Sequence, residues 1–97
     1  MEALRRAYLE VRGERVRGSS WALHTMASAI LEDLEAGREL DCEEAARLMG
    51  DAFPGSGALA NLAEAVLKLC GDHRRLEAAL RAMLYMVDSA PQEIAGR

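Results

Sequence analysis

Apolar residues recur along this chain at the three- and four-residue spacing of amphipathic helices, in five stretches separated by short polar connectors. In the first stretch, Leu4, Ala7, Tyr8 and Val11 fall on one helical face. No stretch carries the strict alternation that is typical of a half-buried strand. The pattern predicts an all-α fold with five helices, over residues 2–12, 19–35, 42–52, 57–69 and 73–88.

Capping and turn residues mark the ends of these predicted helices. Ser19 or Ser20 is expected to cap the second helix, and Asp41 with Glu44 three residues later has the spacing of a capping box for the third. The other residues predicted to start or stop a helix, or to open a final turn, are Gly13, Gly37, Ser56, Gly71, Asp72 and Pro91.

The length of 97 residues predicts one domain, spanning residues 1–97. Hydrophobic residues make up 51% of the chain but aromatic residues only 4%, so the core must consist of Leu, Ala, Met, Val and Ile. Short connectors favour a five-helix antiparallel bundle or an irregular helical packing. In the fifth helix, Tyr85 and Met86 lie beside the main apolar stripe, which indicates a second buried side such as a dimer contact.

The charge of the chain bears on its partners. A formal net charge of −4 argues against nucleic acid, because a phosphate backbone requires a basic surface. Residues 1–17 are mildly basic, whereas residues 32–51 are strongly acidic and are expected to form a solvated face. This asymmetry suits a head-to-middle contact between protomers of a homodimer, or with another protein partner.

Charged residues occur from the second position onward, so the N-terminus lacks the apolar segment of a secretory signal. No apolar run approaches membrane-spanning length. The two cysteines do not indicate a disulfide scaffold. We therefore expect a soluble, cytoplasmic protein that does not bind a membrane.

Metal binding has one weak candidate in the sequence. Cys70 and His73 have the Cys-x-x-His spacing of two zinc ligands, but a structural zinc site needs about four ligands. The remaining candidates, His24 and Cys42, lie on other predicted helices. We predict no metal, no cofactor and no catalytic residue.

The start of the second helix is the candidate binding site, formed by Arg17, Gly18, Ser19 and Ser20. A glycine and two small hydroxyl residues leave the first backbone N–H groups uncrowded at the positive end of the helix dipole, and Arg17 adds a full charge. A phosphate or carboxylate fits such an entrance. An ordinary capped helix start has the same sequence, so both interpretations stay open.

A second glycine-rich loop, residues 54–61, also precedes a helix. It follows no strand and lacks the Gly-Lys-Ser/Thr sequence, so it is neither a dinucleotide-binding nor a P-loop signature. We interpret it as a loop with a helix cap.

Three short segments together carry a family resemblance. Residues 16–23 read Val-Arg-Gly-Ser-Ser-Trp-Ala-Leu, residues 53–56 read Phe-Pro-Gly-Ser and residues 59–62 read Leu-Ala-Asn-Leu. In order and approximate spacing, over residues 15–70, the chain resembles the N-terminal helical domain of the translation initiation factor 2B alpha/beta/delta proteins. The related ribose bisphosphate and methylthioribose phosphate isomerases share that domain.

The resemblance implies a non-catalytic interaction or regulatory module. In the isomerases the Arg-Gly helix entrance helps to hold the sugar phosphate, so Arg17, Gly18, Ser19 and Ser20 would bind a phosphate-bearing small molecule. The catalytic Cys and Asp of those enzymes lie in a following α/β domain, which these 97 residues do not contain. The alternative is the substrate-binding part of a sugar phosphate isomerase whose α/β catalytic domain is elsewhere.

Overall fold

Helices dominate the computed structural model of the chain, which describes residues 1–14 and 17–95, with side chains as far as Val87. The predicted all-α class is confirmed, since no strand occurs in these ranges. The first four helices begin at the predicted residues and end within one residue of the predicted ends. The helices are α1 (Glu2–Gly13), α2 (Ser19–Glu35), α3 (Cys42–Ala52), α4 (Gly57–Lys68) and α5 (His73–Ala95).

The fifth helix is longer than the sequence indicates. It continues through Pro91 to Ala95, so the prediction of a final turn opening at Pro91 is wrong. Proline lacks the N–H that would bond to the carbonyl oxygen four residues earlier, yet its fixed φ angle is close to the helical value. One missing main-chain hydrogen bond therefore does not end α5.

The helix α2 packs against α1, α4 and α5, while α3 packs against α4 and α1. The core is aliphatic, as the composition predicts, and each buried Leu, Ile, Met or Val side chain stabilises the fold by about 1.5–3 kcal/mol. The largest apolar side chains that are fully buried are Leu4, Val11, Met26, Ile30, Met49, Leu59, Leu62, Val66, Leu76 and Leu80.

Side-chain caps start three of the helices as predicted. Each cap accepts a hydrogen bond from the N–H three residues later: Asp41 from Glu44 (3.1 Å), Ser56 from Leu59 (3.2 Å) and Asp72 from Arg75 (3.2 Å). The start of α2 differs, because its N-cap is Gly18. The prediction that Ser19 or Ser20 caps α2 is therefore wrong, since both serines lie inside the first helical turn.

A disulfide joins Cys42 to Cys70, although the two cysteines did not indicate a disulfide scaffold from the sequence. Cys42 is the first residue of α3, and Cys70 follows Leu69, the C-cap of α4. The two helices form a hairpin, so the beginning of one lies beside the end of the other. Their Cα atoms are 6.1 Å apart, which is an ordinary separation for a disulfide.

Asp33 is completely buried, although the sequence places it in a stretch expected to be a solvated acidic face. Its carboxylate accepts hydrogen bonds from the N–H groups of Ala3 (3.1 Å) and Leu4 (3.0 Å). These N–H groups belong to the first turn of α1, where no partner within the helix is available. Asp33 on α2 therefore caps α1, which has no side-chain cap of its own at Met1.

The end of α2 brings Arg38 to the same carboxylate. Gly37 has a φ of 75°, a left-handed conformation that favours glycine, and its N–H bonds to the carbonyl oxygen of Leu34 at 3.1 Å. The N–H of Arg38 bonds to the carbonyl oxygen of Asp33 at 2.9 Å, which completes a Schellman motif. The chain thereby turns back, and the Arg38 guanidinium donates to the Asp33 carboxylate at 2.9 Å.

The basic first helix contacts the acidic middle of the chain within a single copy. Arg5 on α1 forms an ion pair with Glu44 on α3 at 2.9 Å, and the Tyr8 hydroxyl donates a hydrogen bond to Asp51. The charge asymmetry therefore serves at least in part to hold α1 against α3, rather than only to bind a second protomer or a partner.

Candidate functional site

The beginning of α2 holds the four residues of the predicted anion site. Arg17 precedes the N-cap Gly18, and Ser19 and Ser20 are the first two helical residues. Gly18 has the extended conformation of an N-cap residue, with φ −83° and ψ −175°. Its carbonyl oxygen accepts the first helical hydrogen bond, from the N–H of Ala22 at 3.2 Å. The four residues thus lie at one helix entrance.

In the part of the chain that the structure describes, no side-chain hydrogen bond caps this entrance. The N–H groups of Gly18, Ser19, Ser20 and Trp21 precede the first intrahelical bond, so they have no acceptor four residues earlier within α2. Gly18 and Ser20 are exposed and Ser19 is half-buried. A Cβ atom built at Gly18 would meet no heavy atom within 4 Å. The first turn of α2 is therefore open to a bound group on the side of Gly18.

Arg17 is held beside this turn by an aromatic ring. Its guanidinium carbon lies 5.2 Å from the centroid of the Trp21 ring, within the range of a cation–π contact. Trp21 itself is half-buried and packs against the core. The exposed Arg17 side chain is thereby anchored to a residue of the first turn of α2 rather than extending freely from the connector.

The glycine-rich loop before α4 is a loop with a cap, as interpreted from the sequence. The Ser56 hydroxyl occupies the N–H of Leu59, and Gly55 has a φ of 84°. Asn61, in the Leu-Ala-Asn-Leu segment that contributes to the family resemblance, is exposed on the helix surface. At this helix start, one N–H group of the first turn, that of Leu59, is therefore already bonded to a hydroxyl oxygen.

The Cys-x-x-His candidate does not form a metal site. Cys70 is bonded to Cys42, so neither sulfur is a thiolate that can bind a metal. Among residues 1–14 and 17–87, no three His, Cys, Asp or Glu side chains are grouped so that they can hold a metal ion.

A polar cluster that the sequence did not indicate lies between α1 and α3. Asp51 accepts the Tyr8 hydroxyl hydrogen bond, and Arg12 donates to the same hydroxyl at 3.1 Å. The hydrogen bond to Asp51 is the main cause that raises the pKa of Tyr8 above its ordinary value. Through the Tyr8 hydroxyl, this cluster links α1 to α3.

An open groove runs between α1 and α2 and contains none of the predicted site residues. Small side chains line it, among them Ala3, Ala7 and Ala29, and Arg6 stands at the edge together with three glutamates. The groove is wide open to solvent.

None of the helices in the described part of the chain has the length and apolar character needed to cross a membrane. The chain matches no protein-family model, no curated protein and no solved structure.

Proposed function

We propose that this chain is a non-catalytic helical interaction module that receives a phosphate-type anion at the start of α2. In this role it is similar to the N-terminal helical domain of translation initiation factor 2B-like proteins. One observation carries the proposal: among the described residues no side chain caps the first turn of α2, while the Trp21 ring holds the cationic Arg17 beside it.

The chemistry of the entrance favours an anion over a neutral ligand. Uncapped N–H groups at the positive end of a helix stabilise negative charge, by about 0.3–1 kcal/mol for a single exposed group. A phosphate bound there would accept several of these N–H groups and pair with the guanidinium of Arg17, and such charge-assisted hydrogen bonds are about twice as strong as neutral ones. Binding of this kind retains the anion but supplies no acid or base to transform it.

The expected ligand is a phosphate-bearing small molecule, and the expected readout is thermal stability. A ligand that binds only the folded chain, at 100 times its dissociation constant, stabilises it by about 2.7 kcal/mol. For a chain of 97 residues this corresponds to a rise in Tm of about 10 °C or more. We expect this rise when inorganic phosphate, ribose 5-phosphate or AMP is titrated at constant ionic strength, with chloride as the reference anion.

Two variants test whether the phosphate-dependent rise in Tm arises from binding at the start of α2. Gly18→Asp places a carboxylate at the N-cap, in a conformation that aspartate adopts readily, and this carboxylate would bond to the first-turn N–H groups and repel the ligand. Arg17→Ala removes the cation but leaves the N–H groups. We expect Gly18→Asp to abolish the phosphate-dependent rise and Arg17→Ala to reduce it.

The matched control is Arg74→Ala, which removes an exposed arginine from the first turn of the capped helix α5. It should respond to phosphate as the unmodified chain does. A phosphate response no larger than that of chloride, or an undiminished response in Gly18→Asp, would contradict the proposal.

The proposal places the chain in the cytoplasm. The disulfide between Cys42 and Cys70 then predicts that both thiols are oxidised in the cell. Disulfides are rare in the cytosol of mesophiles but frequent in intracellular proteins of hyperthermophiles. We expect that alkylation of free thiols at the moment of cell lysis leaves Cys42 and Cys70 unmodified, as the bond between them requires. Labelling of both cysteines would show that the pair is reduced in its cell.

A further inference from the structure

The surface of α5 that faces away from the core is apolar. Tyr85 is 74% exposed and Met86 is 69% exposed, and these are the two largest exposures among the large hydrophobic side chains of the described residues. Ala78 and Ala82, on the same helix, are exposed as well. The opposite side of α5 supplies Leu76 and Leu80 to the core.

Helical geometry makes these four residues one patch, which we call the α5 patch: Ala78, Ala82, Tyr85 and Met86. With about 100° between successive residues, all four fall within an arc of about 100° on the side of the helix away from Leu76 and Leu80. Tyr85 and Met86 stand on the C-terminal side of the patch and the two alanines on its N-terminal side. One half of the patch is therefore bulky and the other half is flat.

A patch with one bulky and one flat half is complementary to itself when two helices run antiparallel. We propose that the α5 patch binds the α5 patch of a second copy of this chain, about a two-fold axis near Ala82. Tyr85 and Met86 of each copy then cover Ala78 and Ala82 of the other. The small alanines permit a close approach of the two helix axes, and the large side chains fill the space on either side.

The charges of α5 favour the same arrangement. Its N-terminal half carries three arginines, Arg74, Arg75 and Arg81, against one glutamate, Glu77, and is therefore net basic. The sequence of its C-terminal half contains Asp88 and Glu93 and no basic residue up to Ala95. Antiparallel pairing places the basic half of each helix alongside the acidic half of the other, and it also opposes the two helix dipoles. A parallel pair would place like charges together.

The size of the patch sets the strength of the association. Two helices that meet over about two and a half turns bury less surface than the roughly 1,200–2,000 Å² of a standard protein interface, so the dimer belongs to the weak, concentration-dependent class. This inference is independent of the anion proposal, since it uses another helix and another kind of ligand.

Sedimentation velocity of the full chain over a range of concentrations tests the inference. We expect a monomer at low concentration and a dimer at high concentration. Ala82→Glu brings two carboxylates together at the two-fold axis, and it should raise the dissociation constant by about a hundredfold or more. Glutamate is a good helix former at an exposed position, so the fold should be retained.

The matched control is Ala60→Glu, an exposed helical alanine of α4 that lies outside the patch. It should dimerise as the unmodified chain does. A chain that stays monomeric at high concentration overturns the proposal. Equal association of Ala82→Glu and Ala60→Glu overturns it as well.

Cross-linking decides the orientation of the pair. In the antiparallel arrangement, position 82 lies opposite its own equivalent, whereas the two copies of position 78 are about 12 Å apart along the helices. Under mild oxidation, Ala82→Cys should therefore give a covalent dimer and Ala78→Cys should not. Efficient cross-linking of both variants indicates a parallel pair and contradicts the antiparallel assignment.

Discussion

Replacing Asp33 by asparagine is expected to lower the free energy of unfolding by about 3 kcal/mol at neutral pH, the typical cost of breaking a buried ion pair. Asp33 is fully buried, and its two oxygens accept three hydrogen bonds, from Ala3, Leu4 and Arg38. Asparagine keeps one of these oxygens but directs an NH₂ group at a donor. Urea unfolding followed by circular dichroism measures the loss.

Two further variants separate the parts of this effect. Glu32→Gln changes the exposed acidic neighbour and should alter stability by no more than about 0.5 kcal/mol. Arg38→Met removes the guanidinium, whose side chain is 37% exposed and hence partly screened by solvent. It should cost less than Asp33→Asn, because the two N–H groups of α1 keep their acceptor. A loss in Asp33→Asn as small as that in Glu32→Gln would contradict the assigned role of Asp33.

Lowering the pH should remove the stabilisation that the Asp33 carboxylate contributes. Burial alone raises the pKa of Asp33, but the hydrogen bonds from Arg38, Leu4 and Ala3, together with the amino group of Met1, outweigh burial and lower this pKa below its usual value. A lowered pKa in the folded state stabilises the fold above the pKa of the unfolded state, near 3.9, and this stabilisation is lost as the pH falls through the folded-state pKa. The stability difference from Asp33→Asn should therefore be constant from about pH 5 upward and shrink below about pH 4.

The helices were predictable because their signals are local. Capping side chains such as Ser56 act on an N–H three residues away, and apolar periodicity is visible within a single stretch. The α2 entrance shows the limit of such signals. Two serines follow Gly18, and the sequence does not reveal which residue takes the N-cap conformation. The helix begins one residue earlier than a serine cap requires, and this difference leaves the first turn uncapped.

The buried Asp33 and the disulfide were missed because both depend on tertiary contacts. Asp33 follows Met26 and Ala29 at helical spacing on the buried face of α2, so a positional signal existed. This signal was outweighed by the general preference of carboxylates for solvent. That preference does not hold where another helix presents unpaired N–H groups to the carboxylate. The cysteines are 28 residues apart, and only the antiparallel pairing of two helices of similar length brings them together.

Reduction of the disulfide between Cys42 and Cys70 is expected to lower the free energy of unfolding by about 3 kcal/mol. The bond closes a loop of 28 residues, and in the chain-entropy account a loop of this length loses about 3–4 kcal/mol of conformational freedom in the unfolded state. The corresponding fall in Tm is about 15 °C for a chain of this size. Thermal unfolding with and without a phosphine reductant measures it.

The double variant Cys42→Ala/Cys70→Ala separates the cross-link from the side chains. It should unfold near the temperature of the reduced unmodified chain, and the reductant should have no further effect on it. Of the two single variants, Cys42→Ala should be less stable than Cys70→Ala, because Cys42 is only 6% exposed and truncation there removes packed atoms from the core. A reductant that leaves the Tm of the unmodified chain unchanged would show that the cysteines are not paired. The hairpin of α3 and α4 would then depend on helix packing alone.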